Sequence, residues 1–108
     1  MATKGAELFL ERAGIMKALA HPSRLIMVDE LSRGPRCVCE LTELVGADIS
    51  TVSKHLSVLK GAGLVVCQRQ GVKIFYRLRA PCVVDFFDCM EAVRCEGLRH
   101  RPSVRAGK

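Results

Sequence analysis

The 108-residue chain is 49% hydrophobic and 5% aromatic, lacks Trp, and carries 17 Lys and Arg against 11 Asp and Glu, a formal net charge of +6. This is the size of one small globular domain and leaves no room for a two-domain enzyme. No apolar run reaches the roughly 18 residues that span a bilayer, and Met1 to Glu7 contains no signal-peptide core, so a cytoplasmic protein without a membrane partner is expected.

In chain order, Leu8, Phe9, Ile15, Met16 and Leu19 recur at helical spacing until Ala20-His21-Pro22 interrupts them. Pro suits a first helical position, so a second helix is predicted to start there, bury Leu25, Val28 and Leu31, and stop at Gly34-Pro35. A third helix fits Cys39 to Val45, with Leu41, Leu44 and Val45 inward and Gly46 as its C-terminal stop. The turn Gly46-Ala47-Asp48-Ile49 follows. Ser50 or Thr51 then offers a capping oxygen to a fourth helix that ends near Ala62. At about 100° per residue, Val52, Leu56 and Leu59 form its buried stripe, while Ser50, Lys54 and Ser57 point the opposite way.

After Gly63 the period changes to two. Leu64 to Gln68 and Val72 to Leu78 flank a Gln70-Gly71 turn, with Val72, Ile74, Tyr76 and Leu78 alternating against Lys73, Phe75 and Arg77. Ala80-Pro81 opens a last helix with Val83, Phe86, Phe87, Met90 and Val93 on one stripe and Asp85, Asp88 and Glu91 on the other side. The expected architecture is mainly α with one β-hairpin, in the order α-α-α-α-β-β-α: a winged helix-turn-helix over residues 1–98 followed by a disordered basic tail, 99–108. The first and last helices have larger apolar faces than so small a core can use, so they are expected to pair with a second subunit as a homodimer.

The charge is concentrated. Residues 1–48 hold six basic and seven acidic residues, whereas 49–80 hold Lys54, Lys60, Arg69, Lys73, Arg77 and Arg79 with no acid. An acid-free basic block on a short helix and hairpin is what a phosphate-facing surface requires, because neutralised phosphates release counterions. The fourth helix is therefore predicted to enter a major groove, with Arg69 and Lys73 at the wing tip against the neighbouring backbone.

The stretch Lys17-Ala-Leu-Ala-His-Pro-Ser-Arg-Leu-Ile resembles the ArsR/SmtB family of metal- and metalloid-responsive repressors, together with Arg36-Cys-Val-Cys-Glu-Leu, Ile49-Ser-Thr-Val-Ser-Lys-His-Leu-Ser-Val-Leu-Lys-Gly-Ala-Gly-Leu-Val and Gly71-Val-Lys-Ile-Phe-Tyr-Arg-Leu. The resemblance covers roughly residues 13 to 98. It implies a homodimeric winged helix that binds a pseudopalindromic operator in double-stranded DNA and is released by an inducer, with Ser50, Thr51, Ser53, Lys54 and His55 facing the groove. It also matches Cys37-Val38-Cys39 to the paired cysteines at the start of the third helix in the arsenic- and cadmium/lead-responsive members. Two departures stand out. The place of a third cysteine in that segment is taken by Thr42, and the N-terminal arm has none.

In a reducing compartment six cysteines are core fillers, redox thiols or metal ligands rather than a disulfide framework. At i, i+2, Cys37 and Cys39 diverge by about 200° on a continuous helix, so one ion holds both only at a loop-to-helix junction or a deformed first turn. The helix N-terminus and Arg36 favour thiolate there, and thiolates select soft ions. Arsenite or antimonite is the expected inducer, with cadmium or lead next and a thiol-redox sensor as the rival. The candidates for a third thiolate are Cys89 or Cys82 on the last helix. Cys67, within a wing strand, reads as structural, and Cys95 lies near the tail. His21 reads as the start of the second helix, and Asp85 and Asp88 lack the His partner of the family's zinc site. The absence of Cys-x-x-Cys and of a βαβ pattern argues against a thiol enzyme, and no catalytic cofactor is expected.

Overall fold

The computed structural model describes residues 4–100, with side chains placed for residues 5–96. Its elements are α1 (Lys4–Leu19), α2 (Pro22–Leu31), β1 (Arg36–Cys37), α3 (Val38–Val45), α4 (Ile49–Gly61), β2 (Val65–Gln70), β3 (Lys73–Leu78) and α5 (Val83–His100). This is the expected winged helix-turn-helix with one addition. The two-residue strand β1 pairs antiparallel with β3, Arg36 opposite Tyr76 and Cys37 opposite Phe75, giving the sheet order β1-β3-β2. Two residues have no periodicity of their own, so only the distant partner strand makes them a strand.

Local chemistry sets the helix ends. His21 is the extended N-cap of α2, its Nδ1 accepting the Ser23 N–H at 3.0 Å, and Pro22 takes the first turn where its missing donor costs nothing. Helix α3 starts at Val38, one residue before the expected Cys39, with Cys37 as N-cap and the Glu40 Oε1 accepting the Cys37 N–H at 2.9 Å. It ends at Gly46, whose φ of +77° is the left-handed conformation that glycine adopts without strain.

The cap of α4 is Asp48, not Ser50 or Thr51. Its Oδ1 accepts the Thr51 N–H at 2.8 Å and the Ser50 hydroxyl at 3.2 Å, so Ile49, expected in the turn, opens the helix. A cap side chain reaches the backbone three residues on, and Asp48 is the residue at that spacing from Thr51.

The core is built from Met27, Val28 and Leu31 of α2, Leu41 of α3, Val52, Leu56 and Leu59 of α4, and Leu64, Val65 and Leu78 at the hairpin base, closed by Ala18 and Leu19. Burying each large aliphatic residue is worth about 1.5–3 kcal/mol. Leu44, expected inward, is exposed. Val38, Leu41 and Val45 already occupy the face of α3 that meets the core.

The hairpin turn is Gly71-Val72, one residue later than expected, because strands β2 and β3 pair from Val65–Leu78 to Gln70–Lys73. Gly71, with φ +65°, supplies the left-handed position of a two-residue loop. Val72 therefore lies at the tip, 94% exposed, and Ile74 is also exposed; Tyr76 and Leu78 alone keep the inward places predicted for the strand.

Helix α5 starts after Cys82, whose carbonyl accepts the Asp85 N–H in the preceding turn, and it continues through His100. Most of the expected basic tail, residues 101–108, lies outside the described residues. Val83 and Phe87 pack on the core, but Leu8, Phe9, Leu10, Ile15 and Met16 of α1 and Phe86, Met90 and Val93 of α5 are left exposed.

Candidate nucleic-acid interface and thiol pair

Helix α4 shows Ser50, Thr51, Ser53, Lys54 and Ser57 to solvent, and the hairpin adds Arg69 and Lys73 beside its tip. These side chains combine hydroxyl donors with unburied cations. The ion pairs described, Arg33 with Asp29 and Glu30, Arg36 with Glu30, and Arg94 with Glu91, all lie outside 49–80. Arg79 Nε donates to the Gly63 carbonyl at 3.0 Å, fixing the hairpin base to the end of α4. Asp48, at the edge of this surface, is held below the usual carboxylate range by the Thr51 side chain and backbone N–H and then by Ser50, with Lys54 adding a smaller attraction. Its negative charge stabilises the positive end of the α4 dipole.

His55 departs from its expected groove-facing place. It is half-buried, with Nδ1 3.1 Å from the Arg24 Nη1 and its ring 4.4 Å from that of His21. A position next to the buried Leu56 lies between the core stripe and the outer face, so neighbouring helices decide which way it turns. Cys67, which reads as structural within its wing strand, is exposed, its Sγ 3.3 Å from the Lys60 Nζ. Strand β2 leaves the core after its first two residues, so its alternation no longer separates buried from exposed.

The two paired cysteines occupy different environments. Cys37 is 7% exposed, at the junction of β1 and α3, whereas Cys39 is exposed and borders an open groove of about 400 Å³ with Thr42, Glu43 and Ile49. Arg36, expected to add positive potential, is paired with Glu30 at 2.8 Å. Glu40 lies against Cys37, its carboxyl held low first by the Cys37 backbone N–H, then by the Cys37 side chain, with smaller help from Arg36 and Lys73. Among the described residues no three His, Cys, Asp or Glu side chains converge as metal ligands.

The pair straddles the junction of β1 and α3, Cys37 as the extended N-cap and Cys39 in the first turn of the helix. Neither proposed third thiolate completes a cluster within the described chain: Cys82 stands in the turn before α5, not on its flank, and Cys89 is exposed on α5 beside Phe86, Met90 and Val93. Cys95 donates to the Glu91 carboxylate at 3.2 Å, and that carboxylate, through this hydrogen bond first, pushes its thiol above the ordinary range.

Residues 21–66, from the cap of α2 into β2, match the bacterial regulatory protein, arsR family. The biofilm growth-associated repressor of Agrobacterium fabrum is 35% identical over 85 residues, which cover 79% of this chain and 73% of that protein. The chain belongs to the ArsR family. The HTH-type transcriptional regulator NmtR of Mycobacterium tuberculosis is 42% identical over 76 residues, 70% of this chain and 63% of that protein.

The solution structure of a homodimeric winged helix-turn-helix DNA-binding domain from Mycobacterium bovis superposes with a TM-score of 0.79 at 31% identity and covers 97% of both chains. Three mycobacterial relatives are longer, and the chain spans between 41% and 63% of their length. The ArsR-family match includes Cys37, Cys39 and all of α4, while Lys73 and α5 lie beyond it. Family and fold are those of transcriptional regulators rather than enzymes. Among the described residues no helix is long and apolar enough to cross a membrane.

Sequence reasoning missed the Asp48 cap and the contacts from Arg24 to His55, Glu40 to Cys37 and Lys60 to Cys67. The capping spacing was the one available signal for Asp48, and Glu40 three residues after Cys37 has the spacing of a capping box. The Arg24 contact crosses 31 residues and left no local trace.

Proposed function

We propose that this ArsR-family chain is a homodimeric, cytoplasmic transcriptional repressor that lays α4 in the major groove of operator DNA and its wing against the adjacent backbone. The observation that carries this is the exposure of Ser50, Thr51, Ser53, Lys54, Ser57, Arg69 and Lys73 together in a segment without acids. Cationic side chains there release phosphate counterions, and the hydroxyls of α4 are short enough to meet base edges or phosphates. The second copy is assigned to the exposed apolar faces of α1 and α5, consistent with the homodimeric state of the M. bovis domain.

Release is assigned to a thiophilic inducer at Cys37 and Cys39, arsenite or antimonite first and cadmium or lead next. Cys37 caps α3 and pairs with β3, so drawing its thiol toward Cys39 disturbs both the helix-turn-helix and the wing. An inducer that binds the disturbed state better shifts the equilibrium away from DNA, with a coupling of about 1–3 kcal/mol. A third thiolate would come from Cys89 or Cys82, including those of the second subunit.

The test uses a duplex enriched by the wild-type protein from a random-sequence pool. Failure to enrich any duplex removes the DNA-binding reading. Lys54→Ala is expected to weaken binding and reduce the salt slope by about 0.9, the value for one lost phosphate contact. Cys37→Ser with Cys39→Ser is expected to keep DNA binding and lose release by arsenite. Arsenite release that persists in this double variant sinks the inducer assignment, and release by peroxide but not by arsenite under matched conditions replaces it with thiol oxidation.

A further inference from the structure

Three helices meet at one polar corner that the DNA-binding face does not use. Arg24, on the first turn of α2, donates from Nε to the Ala18 carbonyl in the last turn of α1 at 2.6 Å, and its Nη1 lies 3.1 Å from Nδ1 of His55 on α4. Arginine has donors only, so Nδ1 must be the acceptor, and the His55 ring is neutral with its proton on Nε2. His21 closes the corner, its Nδ1 occupied by the Ser23 N–H and its ring tilted 47° against that of His55.

We propose that Arg24 is a positioning residue for DNA binding, acting through neutral His55 to hold α4 at its place against α1 and α2, and that His55 touches no nucleotide. The inference rests on the reading of α4 as the groove-binding helix. One guanidinium fastened to both the end of α1 and the middle of α4 adds a directional constraint on their relation that non-directional apolar burial does not supply. Protonation of His55 removes the acceptor and places a new cation against Arg24.

Among the described residues, the groups that bear on the charge of His55 are His21 and Arg24, both from the start of α2, and from α1 the Ala18 carbonyl accepts from Arg24. Burial first, then His21 and Arg24, push its titration below the ordinary 6.5. The sign follows. The neutral ring is present above pH 6.5, and the clamp is lost as pH falls through the lowered value. DNA affinity should therefore fall on acidification. A groove-facing histidine would do the reverse, gaining a phosphate-facing charge and strengthening binding.

The experiment measures binding of the full chain to the enriched duplex at constant ionic strength from about pH 7.5 down through the His55 midpoint, which an NMR titration of the assigned histidine rings without DNA locates. Wild-type affinity is expected to fall about threefold or more as the pH passes through the His55 midpoint found by NMR, where the neutral ring is lost. His55→Gln, whose amide oxygen still accepts from Arg24 but does not titrate, is expected to give a flat profile. Arg24→Ala is expected to weaken DNA binding and to move the His55 titration upward toward its ordinary value. The proposal is overturned by a wild-type affinity that stays flat or rises in acid, by a His55→Gln profile that still falls, or by a His55 titration unmoved in Arg24→Ala. Should the wild-type protein bind no duplex at any pH, the DNA reading fails, and the NMR arm alone decides whether Arg24 controls His55.

Discussion

Helices α2, α3 and α4 and the hairpin base, together with Ala18 and Leu19 from the end of α1, form a closed core, whereas the remaining apolar faces of α1 and α5 are left open. Met27, Val28, Leu41, Val52, Leu59 and Val65 are fully buried, while Phe9 is 64%, Leu10 72% and Val93 73% exposed. Both regions are rich in apolar residues, so composition does not separate them. The difference is whether a partner surface exists within one chain. Apolar stripes of this extent on a small protein mark an interaction face. The closed unit carries the acid-free basic block on its solvent side, and the open helices carry the surface assigned to the second copy.

The largest expected effect falls in the closed unit. Leu56→Ala removes a fully buried core side chain, and chemical denaturation should show a loss of about 2–5 kcal/mol. A smaller loss would mean that this core is less complete than its burial indicates. Next, Phe9→Asp with Val93→Asp places charges on the open faces without touching the core. Sedimentation should show the dimer weakened at least about tenfold, which is about 1.4 kcal/mol, with little change in the secondary structure of the concentrated protein. A dimer that survives would move the second copy to another surface.

The smallest effect concerns the junction between the two chemistries, the cap of α4. Asp48→Ala should lower the melting temperature modestly. Because the folded carboxylate titrates below its ordinary 3.8, the difference from wild type should be complete above pH 3.8 and vanish as pH falls through the lowered value. A difference that persists unchanged in acid would show that the cap hydrogen bond is not its source.

Much of the fold was legible because its signals are local. Pro22, Gly46 and Gly63 punctuate the chain, and apolar residues at steps of three and four identify α2, α3 and α4 without any long-range information. The basic block was also legible, since it is a property of consecutive residues. The orientation of border residues was not. Leu44 and His55 sit at the edges of helical stripes, where a rotation set by neighbouring helices exchanges inside for outside. Cys67 follows a strand that leaves the core, so its alternation continues while its burial stops.

By itself the sequence determined the order of the five helices and the hairpin, the helix-turn-helix, the concentration of positive charge and the position of Cys37 and Cys39 at the start of a helix. Those follow from periodicity, capping chemistry and composition over a few residues. Only the tertiary structure decided that Cys37 is buried opposite Phe75 while Cys39 faces solvent, that Asp48 rather than Ser50 or Thr51 holds α4, and that His55 turns to Arg24. The first and third depend on partners tens of residues away, and the second on which of three adjacent polar side chains reaches a backbone donor once the turn has closed.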